Sequence, residues 1–193
     1  MPQPGLFGEP AMLQRLFFAV KPDAETAGRI SALGDQLKRA EGLSGKAIKT
    51  ERLHITLIHV GDWDGLPKGV VDDCQRVGEA TDAGAFEVAF DRAQSFSGAT
   101  GNRPYVLLGN ETDLAAVKSF RADLLRRLAS VGVKPKSNLQ FNPHVTLLYD
   151  PKLAPERAVE PIRWRARDLL LIHSEIGLNK YHELGRWPLE TRS

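Results

Sequence analysis

The feature that most constrains this chain is a short run that occurs twice. Leu53-His54-Ile55-Thr56-Leu57 is answered by Pro143-His144-Val145-Thr146-Leu147, with the two histidines ninety residues apart. Both runs are aliphatic and carry β-branched residues, so both read as strands. Side chains two apart in a strand share a face. Each run therefore shows an imidazole beside a hydroxyl, with aliphatic side chains behind. Spaced at about half of a 193-residue chain, the repeat is what an internal duplication leaves when both halves still supply one site.

Strand-helix-strand patterns occur in both halves. Residues 16–20 are apolar throughout and predict a buried strand, ended by Lys21-Pro22. Asp23 can cap a helix with an apolar stripe at Ala27, Ile30, Leu33 and Leu37, stopped by Gly42 and Gly45. The first motif strand covers about 52–60, followed by a turn at 61–67 and a helix at 70–80. Residues 86–90 alternate as a half-buried strand does, continuing with a bend through Phe96; 98–103 is a flexible loop and 105–108 a strand. Thr112 is placed to cap a helix with a stripe at Leu114, Val117, Phe120, Leu124, Leu128 and Val131. A basic connection at 134–142 leads into the second motif strand, 145–149, stopped by Asp150-Pro151; strands at 168–176 and 180–187 close the chain. The pattern predicts an α+β fold with partly antiparallel sheets, its halves packed as lobes about a groove. No composition break marks an interdomain linker, so 14–190 reads as one domain behind a loose tail, 1–13.

Composition narrows the setting. Twenty-six basic against 24 acidic residues give a net charge of +2, too balanced for a dedicated nucleic-acid coat but compatible with a local basic groove. The single cysteine, Cys74, cannot form an internal disulfide, which fits a reducing cytoplasm; with no histidine beside it, it reads as a buried small residue. No run approaches the ~20 apolar residues of a membrane span. The first ten residues hold Pro2, Pro4, Gly5, Gly8 and Pro10 and no basic start, so they do not read as a secretory signal. A cytoplasmic protein is expected.

A pair of histidines suits displacement at phosphorus. Imidazole titrates near neutral pH, so a neutral ring can take a proton from water while a charged ring gives one to the departing oxygen. The threonine hydroxyls can donate to non-bridging oxygens. A lone histidine in an apolar strand is usually structural; its recurrence in the same setting argues for shared function. A zinc site is disfavoured because neither His-x-Thr core contains a cysteine or carboxylate, and Asp62 and Asp150 read as turn residues. His59, at an odd offset from His54, is expected on the opposite face; His173 and His182 fall in the last hairpin. All three read as structural or surface residues.

These residues resemble the two-histidine (2H) phosphoesterase superfamily, and within it the 2′-5′ RNA ligase or RNA 2′,3′-cyclic phosphodiesterase family. The motifs are His54-Ile55-Thr56-Leu57 and His144-Val145-Thr146-Leu147. Residues 15–22 look like the family's opening strand, 86–98 like its central hairpin, 104–109 like the next strand, and Ser174, Tyr181 and Trp187-Pro188-Leu189 like its closing segment. The resemblance covers about residues 14–190. It implies a bilobal α+β fold with two pseudo-symmetric lobes of mainly antiparallel sheet and flanking helices around a central cleft. It also implies metal-independent, cofactor-free opening of 2′,3′-cyclic phosphates to 2′-phosphomonoesters, with reversible 2′-5′ ligation in some members. By similarity, His144 activates water, His54 protonates the leaving oxygen, and Thr56 and Thr146 hold the phosphate. Tyr149 stands where many RNA-processing members have arginine after the second motif, which bears on the substrate more than on the chemistry.

RNA ends are held by cations and by stacking. Candidates for the groove are Lys49, Arg52, Arg103, Lys134, Lys136, Phe18 and Tyr149, with Tyr149, Arg103 and Lys136 foremost and packing the better reading for Phe18. Arg163, Arg165 and Arg167 alternate opposite Trp164 and read as the charged face of an edge strand. The expected partner is an RNA terminus or a small nucleotide, with no membrane and no metal. Two other readings stand beside this one. The same chemistry could act on ADP-ribose 1″,2″-cyclic phosphate or a 2′-5′ oligonucleotide, or the chain could bind RNA ends without turnover.

Overall fold

A computed structural model describes residues 13–97, 101–136, 140–178 and 180–190. Residues 1–12 of the expected tail, 98–100 of the 98–103 loop and 137–139 of the 134–142 connection lie outside the described residues. Two four-stranded antiparallel sheets form the frame. The first is ordered β2-β1-β7-β8, the second β5-β4-β3-β6. In chain order the elements are β1 (Gln14–Val20), α1 (Ala24–Glu41), β2 (Ile55–Trp63), α2 (Lys68–Glu79), β3 (Phe86–Ser95), β4 (Arg103–Leu108), α3 (Ala115–Ser130), β5 (His144–Asp150), β6 (Arg157–Ala166), β7 (Asp168–Glu175) and β8 (Lys180–Pro188). The α+β expectation holds, and the closing hairpin β7-β8 returns to complete the first sheet.

Local chemistry explains most boundaries. Asp23 caps α1, accepting from the Thr26 N–H at 2.8 Å, and Gly42 ends the helix in the left-handed region at φ 60°. Three readings need correction. Thr112 does not cap α3: the Asn110 side-chain oxygen accepts from the Asp113 N–H at 2.9 Å and organises the turn before the helix. Val131 lies past the last helical turn and is exposed. Asp62 is inside β2, which takes the first three residues of the expected turn at 61–67. The basic run at 163–167 belongs to edge strand β6, with Arg163 and Arg165 out and Trp164 buried, as the alternation suggested. Arg167 follows the strand and is also exposed.

One continuous core joins the sheets, including Phe18, Ile30, Leu57, Phe90, Tyr105, Leu124 and Leu147. The opposite face of β1 carries Phe17 and Ala19, which pack with Leu170 and Ile172 in a separate cluster. Phe18 is fully buried, so its expected packing role is the one observed.

The motif strands β2 and β5 are both sheet edges, and they come into contact. An open edge carries unpaired backbone groups that must be satisfied. Here each is covered by the connection that leads into the other. Ala47, on the way from α1 to β2, bridges Leu148 of β5, and the Ile48 N–H donates to the Leu147 carbonyl at 2.7 Å. The Lys136 N–H, on the way from α3 to β5, donates to the Val60 carbonyl of β2 at 3.2 Å.

The buried Asp150 fixes the first of these crossings. Its carboxylate accepts from the Ser44 and Gly45 N–H groups, both at 2.6 Å, and from the Lys152 N–H at 2.8 Å. These bonds hold its pKa below the ordinary value, the Lys152 N–H contributing most. Gly45 passes so close that a Cβ there would lie 1.9 Å from the Tyr149 carbonyl oxygen. Replacing Asp150 with alanine removes three charge-assisted bonds and should cost on the order of 3 kcal/mol in a denaturant titration; a loss below about 0.5 kcal/mol would show that the crossing is held elsewhere.

Candidate active site

The repeated runs meet in a cleft of about 270 Å³ lined by His54, Thr56, His144 and Thr146, together with Arg15, Phe17, Ile48, Arg52, His59, Tyr149 and Tyr181. The cleft thus brings both His-x-Thr pairs into one cavity.

The histidines are held alike. His54 Nδ1 lies 2.6 Å from the Arg52 carbonyl oxygen, and His144 Nδ1 lies 2.7 Å from that of Asn142. A carbonyl can only accept, so Nδ1 carries the proton in both rings and Nε2 is left for chemistry. His54 Nε2 is 3.0 Å from Thr56 Oγ1; with the ring neutral, the hydroxyl donates to it. Each ring also rests on a phenylalanine, Phe17 at 5.2 Å between centroids and Phe96 at 5.0 Å.

Burial depresses both imidazoles. His54 is pushed down to about 4, chiefly by desolvation; the Arg52 carbonyl opposes this, and the positive fields of Lys21, His144 and Arg52 add to it. His144 is lowered by desolvation, with the Asn142 carbonyl opposing.

A bulge shapes each motif strand at the same place. Thr56 pairs with Ala19 and Ile58 with Phe18, so Leu57 is the extra residue in β2. Thr146 pairs with Val106 and Leu148 with Tyr105, so Leu147 is the extra residue in β5. Both residues at each step, Leu57-Ile58 and Leu147-Leu148, point into the core. A bulge inverts the alternation beyond it. His59 therefore faces the cleft, contrary to the parity expectation, and Tyr149 occupies the matching place on the other strand. The β2 bulge carbonyl is itself satisfied, because Arg121 Nε donates to the Leu57 oxygen at 2.9 Å.

His59 is tied into the wall. Its Nε2 lies 2.9 Å from Asp62 Oδ1, and Arg15 grips the same carboxylate at 2.7 and 3.0 Å. This grip, with Arg15 the larger cause, pulls Asp62 down to about 2. Elsewhere in the lining, the Arg52 guanidinium stacks 4.2 Å from the Tyr181 ring centre, and Tyr181 meets His54 edge-on at 5.9 Å.

The remaining candidates divide. Tyr149 and Arg52 line the cleft. Arg103 and Lys136 do not: Arg103 donates to the Pro151 carbonyl, and Lys136 sits in the crossing over β2. Lys49 lines a neighbouring depression and Lys134 lines neither. His173 and His182 stack on each other at 5.1 Å across β7-β8, away from the cleft. Cys74 is buried, and burial pushes its thiol up to about 12, well out of nucleophilic range. Among the described residues, no three His, Cys, Asp or Glu side chains gather as a metal-binding group, and no helix is long and apolar enough to cross a membrane.

Sequence reasoning missed Phe17, Arg15, Tyr181 and His59. Arg15, Phe17 and Tyr181 had entered only as parts of segments resembling the family, and His59 had a signal of its own: the repeat runs one step further than the motif, His54-Ile55-Thr56-Leu57-Ile58-His59 against His144-Val145-Thr146-Leu147-Leu148-Tyr149.

Comparison with known proteins places the chain in a family. The profile of the 2′-5′ RNA ligase superfamily matches residues 22–182, so the chain belongs to that superfamily, whose members are two-histidine phosphoesterases. The fold is shared with ligand-free LigT of E. coli (24% identical, 94% of this chain and 99% of that one, TM-score 0.72) and with TT0787 of Thermus thermophilus (21%, 93% and 100%, 0.69). It extends to Usb1 of Kluyveromyces marxianus (12%, 90% and 98%, 0.52). LigT has also been solved with phosphate and with 3′-AMP. No curated protein sequence matches the chain. Family and fold together define an enzyme of the 2H phosphoesterase type.

The depressed His54 gives a stability prediction with a definite sign. A histidine in an unfolded chain titrates near 6.5, whereas His54 resists protonation to about 4. The folded state therefore binds fewer protons between these values, and stability falls as pH drops from about 6.5 toward 4. Imidazole NMR titration should place the His54 midpoint near 4; a midpoint at or above 6.5 would show a solvated ring.

Proposed function

We propose that the chain is a metal-independent phosphodiesterase that opens 2′,3′-cyclic phosphates at RNA or nucleotide ends to 2′-phosphomonoesters. The observation that carries this reading is the matched pair of His-x-Thr strands facing one cavity, each histidine oriented through Nδ1 so that Nε2 is the reacting nitrogen. The captures of phosphate and 3′-AMP by LigT, a protein of the same fold, support a nucleotide phosphate as the ligand.

In this mechanism His144 takes a proton from water as its oxygen attacks phosphorus. The bond to the ribose 3′ oxygen breaks, and His54 gives that oxygen its proton. Thr56 and Thr146 donate to the non-bridging oxygens, and Thr56 must first turn from His54 Nε2 to do so. The entering phosphate anion favours the charged imidazole, so one ring takes up from solvent the single proton the pair needs. In the unliganded cleft His54 is the harder ring to charge, so the substrate anion has to overcome its desolvation.

Three measurements test this. Alanine at either histidine should lower turnover of a nucleoside 2′,3′-cyclic phosphate by roughly 10² or more, and valine at Thr56 or Thr146 by roughly ten- to hundredfold. EDTA should leave the wild-type rate unchanged; loss of turnover on chelation would point to a metal enzyme instead. The roles separate with an aryl phosphodiester whose phenolate leaves unprotonated. That substrate should restore turnover to His54→Ala and not to His144→Ala, and the opposite rescue would exchange acid and base.

A further inference from the structure

The connection from α1 to β2 covers the edge of β5, and it also builds a surface. Lys46, Ala47, Ile48, Lys49, Arg52 and Tyr149 line a depression of about 280 Å³ next to the cleft. The two cavities share Ile48, Arg52 and Tyr149, so Tyr149 is their common wall. Three of the six lining residues are cations and none is a carboxylate. Lys49 lies 3.9 Å from Glu51 with both groups well exposed, a pair worth little in water. Lys46 has no ion-pair partner among the described residues.

Exposed lysines are usually solvated and unspecific. These differ in that their backbone is pinned. Ser44 and Gly45 are tied to the buried Asp150, Ala47 is bridged to Leu148, and Ile48 is bonded to Leu147. The strand that carries Thr146 and Tyr149 is thus the strand that fixes Lys46 and Lys49. The cost of ordering a ligand-binding loop is already met by the fold.

We propose that this depression is a second phosphate subsite, which takes a phosphate on the 5′ side of the reacting nucleoside while the nucleoside lies against Tyr149. The enzyme then prefers substrates bearing that phosphate, whether as a 5′-monoester or as the preceding phosphodiester of an RNA chain, over a bare nucleoside cyclic phosphate. The inference rests on reading the cleft as a cyclic phosphodiesterase site, but its test does not require turnover.

The test is calorimetric titration of the full chain with a nucleoside 2′-monophosphate, the matching 2′,5′-bisphosphate, and a dinucleotide ending in a 2′-phosphate. The wild type should bind at least one of the two extended ligands about tenfold more tightly than the monophosphate, and the advantage should shrink with added salt. The ligand with the larger gain identifies the phosphate source. The double variant Lys46→Gln, Lys49→Gln should lose the gain and keep the monophosphate affinity. Equal wild-type affinity for all three ligands would overturn the subsite. So would a double variant that weakens all three alike, because the lysines would then act only through the fold of the connection between α1 and β2. Failure of the wild type to hydrolyse cyclic phosphates, with the binding gain intact, would overturn the catalytic reading and leave the subsite standing.

Discussion

The structure depends on how two edge strands are kept from being edges. β2 and β5 must lie at the margins of their sheets for their histidines to look into a shared cavity. A margin leaves backbone donors and acceptors open, and burying them unpaired would be costly. The chain solves this by exchange. The segment after α1 covers β5, and the segment after α3 covers β2. The helices follow the same exchange: α1 contacts β5 and β6, and α3 contacts β2 as well as β3. The core is continuous because the connections cross.

On this frame one extra residue just after each motif threonine sets the chemistry of the walls. Each bulge follows its threonine and sends two consecutive aliphatic side chains inward. The motif histidine and threonine keep their face, and the third residue beyond the threonine joins them there. The two halves then diverge. One places His59 at this position, clamped through Asp62 to Arg15; the other places the unclamped phenol of Tyr149. The two His-x-Thr pairs are nearly symmetric while the surfaces around them are not.

Much of this was legible in the sequence, for reasons that also mark the limits. Periodicity located the three helices and the strands that alternate or are apolar throughout. The repeat found the four central residues because identical spacing survived in both copies. The strand at 157–166 stayed largely hidden: Pro161 and alternating charges disguise an edge, where a backbone N–H has no ladder to join. His59 was misplaced because parity counting assumes an unbroken pleat. Phe17 was invisible as a cleft residue because a strand buried on both faces does not say which face meets a cavity. Arg103 and Lys136 were nominated from position along the chain, and the fold gave both to backbone contacts.

The exchanged coverings have a mechanical corollary. Spreading the two sheets would strain backbone pairings on both margins, Ile48 to Leu147 on one and Lys136 to Val60 on the other. The crossings thus oppose opening of the cleft, and the shape and charge of lining side chains such as Tyr149, Arg52 and Tyr181 are left to set what the cavity accepts.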